Sequence, residues 1–308
     1  MKLYSSNEYD QLKQVILGTA TNAHWPSKCP VYRESEKTTK WKESPVPSGT
    51  VEQFVVDEAN EDLEIFSKVL KLCDVEVFRP KDLDFASFDG MYNYCPRDRL
   101  LVIDDIVVDA PMKYPTRMRE IDALSHLIDN DIISPKSPSG SHNVMFDAAN
   151  IIRLGDGKLL YLVSESGNVE GGKWLQKNLG KKYDIEILDS HYSGVHLDST
   201  IMPVAPGIAI VNSTRVSEVK LPKHMKNWDI IWMHNPRNQS FHQYPYASNF
   251  IGMNVLSVNP QTVICDTLSV ELRDQLDKRN IETIGVTLRH ARTLGGGHHC
   301  TTLDMLRV

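Results

Sequence analysis

The chain has 308 residues, 41% of them hydrophobic and 24% charged, an ordinary globular composition with ample length for a large core. A formal net charge of −6 predicts no basic face, so nucleic acid is not an expected partner. The five cysteines, Cys29, Cys73, Cys95, Cys265 and Cys300, are odd in number and scattered, which argues against a disulfide framework and for a reducing, cytoplasmic setting.

No signal-peptide run opens the sequence, and no stretch reaches the roughly 20 apolar residues of a membrane span. The first apolar run, LKQVILGTA (12–20), reads as a strand with no partner before it. Residues 26–52 are polar and irregular, and they read either as a surface loop near the mouth of the fold or as a disordered excursion. ANEDLEIFSKVLKLC (59–73) then places Ala59, Leu63, Phe66, Leu70 and Cys73 on one helical face. A short strand, VEVFRP, follows.

Four hairpins come next. Their turns are Asp104-Asp105 in RLLVIDDIVVDA, Gly155-Asp156-Gly157 in NIIRLGDGKLLYLV, Pro206-Gly207 in STIMPVAPGIAIVNS, and Asn259-Pro260 in NVLSVNPQTVICD. The second is followed by a helix, GGKWLQKNLG, closed by Gly180. The fourth is followed by LSVELRDQLDKRN, with Leu268, Leu272 and Leu276 on one face. Strands DIEILD, DIIWMH and IETIGV complete the units, and TTLDMLRV (301–308) ends the chain without a hairpin partner. The unit of hairpin, helix and strand recurs at roughly fifty residues, which predicts a ring of α/β blades. Pairing the first strand with the last would close that ring and hide two sheet edges. The reading is one domain over 1–308.

A polar residue interrupts the apolar pattern just before the first strand of each hairpin. These are Asp98, Asp147, His196 with Asp198, Asn254, and Cys300, spaced by 46 to 56 residues. Equivalent positions in a ring point at one axis, so the set should meet in a central cavity. Cys300 is then the expected nucleophile, since a thiolate is strongly nucleophilic once its pKa is lowered. His196 is the proton shuttle, and Asp147 orients it. Asp98 and Asp198 form an acidic clamp suited to a planar cation such as a guanidinium. Gly295–Gly297 are expected to let substrate approach the main chain, with Gly297 in the binding site.

Blander readings stand beside these. Cys300 could be buried and inert, and Asp98 or Asp147 could be an ordinary turn carboxylate. His298 could be merely exposed, and His299 is read as structural or as supporting the site. Neighbouring residues on a strand face opposite ways, so His298, His299 and Cys300 do not make a zinc site, and no metal or other cofactor is expected. His191, His224, His234, His242 and His290 show no pattern.

At this point the chain resembles the amidinotransferases, a group that includes the glycine and inosamine-phosphate amidinotransferases, within the guanidino-group-modifying superfamily. The resemblance runs nearly end to end, through PRDRLLVIDDIVVDAPM, FDAANIIR, HLDSTIMPVAPGIAIVNSTR, MNVLSV and LGGGHHCTTLD. It implies a five-bladed pseudo-symmetric α/β propeller of ββαβ-type units around a central active-site cavity. It implies ping-pong transfer of an amidino group from L-arginine to an acceptor amine, through an amidino-cysteine on Cys300, with release of ornithine. It also implies that Arg215 binds the donor carboxylate, and it suggests a homodimer.

Three positions depart from the glycine-specific pattern: Asn150 replaces an aspartate, Val195 a larger methionine, and Ala247-Ser248 a Ser-Ser pair. Val195, Ala247 and Ser248 are accordingly read as acceptor-pocket residues, and the expected acceptor is an amine other than glycine and larger than it. Two alternatives carry different tests. A guanidino-group hydrolase, similar to arginine deiminase, would form product without any added amine; a non-catalytic guanidinium-binding propeller would still bind arginine after Cys300→Ala. A Cys300 thiolate facing a His196 imidazolium predicts a bell-shaped rate profile, which a measured pH series between 6 and 9 would test.

Overall fold

The repeat closes on itself. The computed structural model describes residues 3–135, 143–189, 195–235 and 246–308, and its strands fall into five three-stranded sheets of one plan plus a two-residue ladder. In four blades a hairpin's second strand also pairs, in parallel, with a third strand that arrives after a crossover. These blades are Leu100–Ile103, Ile106–Asp109 and Ile132–Ile133; Ile151–Gly155, Lys158–Leu162 and Asp184–Leu188; Ile201–Ala205, Ile208–Asn212 and Asp229–Met233; and Leu256–Asn259, Thr262–Cys265 and Glu282–Gly285. The fifth blade joins the two ends of the chain. Leu12–Leu17 pairs antiparallel with Thr302–Arg307 and parallel with Glu76–Phe78, as ring closure requires.

Local chemistry sets the turns. Asp104, Asp156 and Gly207 take positive φ, which two-residue hairpin turns demand and which aspartate and glycine tolerate. The crossovers carry helices α2 (Gln53–Leu72), α3 (Val169–Leu179) and α4 (Val270–Asp277), while Pro115–Ala123 winds as a 3₁₀ segment in the blade that begins at Leu100. Two sequence expectations shift here. Cys73 sits half-buried at the end of α2, and exposed Leu268 precedes α4, so Leu272 and Leu276 alone carry that helix's buried face.

The core lies between blades and under the helices. Val55, Ala59, Leu63, Phe66 and Leu70 of α2 pack with Val15 and Leu17 of the closing blade. Leu175 and Leu179 of α3 pack with Ile151 and Tyr161 of their own blade and with Leu101 and Val108 of the one before. Strands Ile151–Gly155 and Ile201–Ala205 are therefore buried at every position, and the alternation of a one-sided strand is lost. Within residues 26–52 the chain forms helix α1 (Pro30–Thr39), and Tyr32, Glu36 and Trp41 are buried. No helix among the described residues is long and apolar enough to cross a membrane.

A short 3₁₀ turn precedes the first strand of each of the four hairpin blades: Pro96–Asp98, Ala148–Asn150, Leu197–Ser199 and Asn249–Met253. Successive turns touch around the axis. Beneath them a buried ion lattice ties the blades together. Arg153 Nε and Nη2 grip Glu8 at 2.8 and 2.6 Å, and Nη2 also reaches Asp304 at 2.8 Å. Asp304 in turn accepts from Arg97 Nη2 at 2.6 Å and Arg307 Nε at 2.8 Å. Every member is at most 6% exposed. Removing one charge from such a set leaves its partner buried without compensation. Arg153→Met is expected to cost about 3–5 kcal/mol of stability, read as a fall in the urea midpoint at unchanged slope.

Candidate active site

The 3₁₀ turns bring the sequence's polar residues to one cavity. Asp98, Asp147, His196, Asp198 and Cys300 all line it, with Arg215, Val195, Ala247 and Ser248 around them. Asn254 does not line it. It supports the site instead, its side-chain oxygen accepting from the Cys300 backbone N–H at 3.0 Å.

The imidazole of His196 lies between two carboxylates, with Nε2 3.0 Å from Asp147 Oδ2 and Nδ1 3.6 Å from Asp98 Oδ1. Burial alone would lower its pKa. The charge of Asp98, then the hydrogen bond and charge of Asp147, outweigh burial and lift it to about 9. The ring is thus an imidazolium at neutral pH. Burial would raise the Asp198 pKa, but the His299 hydrogen bond and charge hold it down at about 2. The Cys300 thiol donates to Asp198 Oδ2 at 3.2 Å. Burial, then the Asp198 charge, push that thiol well above its ordinary range. The expected standing thiolate–imidazolium pair is therefore met only on its imidazole side, because the neighbour of the sulfur is an anion.

Each of Asp98, Asp147 and Asp198 is at most 4% exposed, and each keeps an Oδ1 with no hydrogen-bond partner among the described residues. Their other oxygens are occupied, Asp98 Oδ2 by Arg117 Nη1 at 2.9 Å, Asp147 Oδ2 by His196 and Asp198 Oδ2 by His299 Nδ1 at 2.9 Å. Three buried carboxylate oxygens without a hydrogen-bond donor, on residues that line one cavity, are costly unless a multidonor cation meets them. His299 Nε2 lies 3.1 Å from Glu8 Oε2, so this ring links the clamp to the ion lattice, in line with a supporting role.

Several residues sit elsewhere than the sequence suggests. Gly297 does not line the cavity; a Cβ there would lie 2.9 Å from Asn254. A Cβ on Gly296 would lie 2.4 Å from Cys95 Sγ and 2.9 Å from Cys300 Cβ. Close packing thus accounts for these two glycines, and Gly295, with φ +80°, is the one at the cavity wall. His298 is buried, with Nε2 2.8 Å from the Val286 carbonyl, rather than exposed. Asn150 is fully buried and does not touch the cavity. Its Oδ1 accepts from the Asp147 N–H at 3.1 Å, and its Nδ2 donates to the Val195 carbonyl at 3.2 Å, so it fixes the two turns that carry Asp147 and His196. His191 and His242 lie outside the described residues.

Other lining residues carried no signal of this kind. Arg117, whose Nε and Nη2 clamp Glu120 at 2.8 and 2.9 Å, holds Asp98 in place. Lys40, Lys113, Tyr114 and Tyr246 form a wall of the cavity. The Arg-Glu spacing of three in PTRMRE was a faint cue to the first; the others lie far from the repeat-bearing turns.

Comparisons with known proteins identify the family. The chain is 33% identical to inosamine-phosphate amidinotransferase 1 of Streptomyces glaucescens, over 98% of its own length and 96% of that protein. The chain belongs to the amidinotransferase family. A solved inosamine-phosphate amidinotransferase from Streptomyces griseus superposes with a TM-score of 0.93 at 32% identity, covering 99% of this chain and 97% of that one. An L-arginine:L-lysine amidinotransferase of Pseudomonas savastanoi pv. phaseolicola is 25% identical over 98% of this chain and 94% of its own. No family model matches the chain. The protein is thus an amidinotransferase with a five-bladed pseudo-symmetric α/β propeller, and the resemblance read from its motifs is sound.

The proton on His196 couples to folding. Its folded pKa of about 9 exceeds the ordinary 6.5, so its stabilising contribution is complete below pH 6.5 and is lost as pH rises through about 9. An NMR titration should place the ring near 9, and Asp98→Asn should move it down toward 6.5.

Proposed function

We propose that this amidinotransferase takes its amidino group from L-arginine, carries it on Cys300, and delivers it to an acceptor amine other than glycine. The observation that carries the reading is the set of three buried carboxylate oxygens without a hydrogen-bond donor, on residues that line one cavity with the Cys300 thiol. A guanidinium presents five N–H donors in a plane and one positive charge, which answers both the geometry and the charge of that set.

The cation also answers the state of the sulfur. Asp198 pushes the thiol up, and a guanidinium seated between Asp98 and Asp198 offsets that charge, so the thiol ionises most readily once the donor is bound. The thiolate then attacks the guanidino carbon. His196, an imidazolium at neutral pH, protonates the departing nitrogen, and the C–N bond to ornithine breaks. The thiol proton is released to solvent as the thiolate forms, His196 gives its own proton to the leaving amine and is left neutral, and an S-amidino-cysteine remains. In the second half the acceptor's free amine attacks the same carbon, His196 takes its proton, and the C–S bond breaks. Asp147 keeps the ring aligned through Nε2.

Arg215 is the proposed ligand of the donor carboxylate. Its Nη1 is steadied by Thr200 Oγ1 at 2.8 Å and Ser199 Oγ at 3.1 Å, and Nη2 lies 3.4 Å from Ser248 Oγ. Val195 and Ala247 line the cavity with small apolar side chains, which supports an acceptor bulkier than glycine. Family membership favours transfer over hydrolysis of the intermediate.

The test is mass spectrometry of the protein mixed with arginine alone. One amidino group should appear on Cys300 with one ornithine released per site; citrulline or urea-type products without any added amine would instead mean hydrolysis. Cys300→Ser should abolish the adduct, and His196→Asn should slow ornithine release by about 10²–10⁴-fold with the fold intact by circular dichroism. Retained turnover in either variant would sink the assignment.

A further inference from the structure

One ring of the ion lattice has a carboxylate at each nitrogen. His299 Nδ1 lies 2.9 Å from Asp198 Oδ2, and Nε2 lies 3.1 Å from Glu8 Oε2. All three residues are at most 2% exposed. Glu8 is an anion, since Arg153 grips it through Nε and Nη2. Asp198 Oδ2 also accepts from the Cys300 thiol. An ionised carboxylate only accepts hydrogen bonds, whereas a neutral imidazole has one N–H and one lone pair. In either neutral tautomer the lone pair would face a carboxylate oxygen in a dry interior. The ring satisfies both neighbours only with a proton on each nitrogen, as a buried cation.

The setting of this ring is rigid. The His299 backbone N–H donates to the Asn254 carbonyl at 3.3 Å, and the His299 carbonyl accepts from Arg97 Nε at 2.9 Å and Thr302 Oγ1 at 3.0 Å. His299 does not line the cavity, so it acts on a ligand only through Asp198. Asp198 also meets the charges of His196 and Arg215 and the thiols of Cys300 and Cys95. On the far side of the ring, Glu8 pairs with Arg153 and Arg97, which both reach Asp304. The two arms of the clamp are built alike. Arg117 Nη1 backs Asp98 at 2.9 Å, and His299 backs Asp198. A guanidinium carries its charge at any working pH, but an imidazole's charge depends on its neighbours. A buried carboxylate without a fixed cation takes up a proton more readily, and a protonated arm cannot pair with a cation.

We propose that His299 is a positioning residue for the donor: held as a cation between Glu8 and Asp198, it keeps the Asp198 arm of the clamp ionised and so able to seat a guanidinium. The lattice that joins the ends of the chain thereby also fixes the charge of the clamp. With the cation removed, burial governs the Asp198 carboxyl and moves its pKa up from about 2. Because the guanidinium needs the carboxylate, affinity is then lost as pH falls through the raised value. This inference rests on the arginine-donor reading, and the experiment separates the two.

Arginine binding is measured by calorimetry between pH 5 and 8 in a Cys300→Ser background, which holds the donor without transfer. His299→Gln leaves a hydrogen-bond donor for one carboxylate but no charge. At pH 8 its Kd should lie close to that of the background. The ratio of the two should grow as pH falls, by up to about tenfold per pH unit, and at pH 5 it should approach the ratio given by Asp198→Asn. A ratio that stays constant across the range would mean that His299 only holds the fold, and would overturn the proposal. Nitrogen-15 NMR of the unsubstituted protein tests the cation directly, whether or not the variant folds. Both ring nitrogens of His299 should carry a proton at pH 7.5, and one bare nitrogen there would equally sink the idea. If the Cys300→Ser protein binds no arginine and the wild type releases no ornithine, the donor reading itself falls, while the NMR result still decides the state of the ring.

Discussion

The buried ion lattice under the axis is the constraint on which the rest depends. Glu8 precedes the first strand, Arg97 precedes the blade that begins at Leu100, Arg153 belongs to the blade that begins at Ile151, and Asp304 and Arg307 lie on the last strand. Each of these blades contributes a charge that would be stranded if its neighbours moved. Such lattices are poor sources of net stability, because desolvation consumes most of the attraction. They are good at excluding alternatives, since any slip in register separates buried opposite charges. Here the lattice also reaches the chemistry. His299 faces Glu8 on one side and Asp198 on the other, so the clamp that lines the cavity is anchored in the same network that joins the ends of the chain.

The cavity above it separates charge by depth. Its floor holds acids whose second oxygens are occupied and whose first are not. Its mouth holds lysines and an arginine. A ligand with a cationic head and an anionic tail is oriented by this gradient before any specific contact forms. The same burial that isolates the clamp raises the Cys300 thiol, and on the proposed reading a bound cation eases its ionisation.

Two additions to the repeated plan tune the site without joining it. Asn150 ties the turn of Asp147 to the carbonyl of Val195, so two catalytic candidates from successive blades share one side-chain amide. Helix α1 has no counterpart in the other units among the described residues, and Lys40 at its end lines the cavity. The core blades are constrained by packing on all sides.

Much of this was legible in the sequence. Apolar runs hinged at Asp104, Gly155–Gly157 and Gly207 marked the hairpins, because a turn's backbone angles admit few residue types. The fifty-residue period, together with unpaired strands at both ends, implied a closed ring, and the recurrence of Asp98, Asp147, His196 and Cys300 at the entry to successive units implied one shared cavity. What tertiary structure decided was everything set by contact between units. No pattern linked Arg117 to Asp98, Lys113 to the cavity, or Asn150 to Val195, and two of the three glycines of GGGHHC proved to answer to the close approach of Asn254 and Cys95. The protonation states also belonged to the folded protein alone. The sign of a pKa shift follows from which charges lie within a few ångströms in a dry interior, and sequence distance carries almost no record of that.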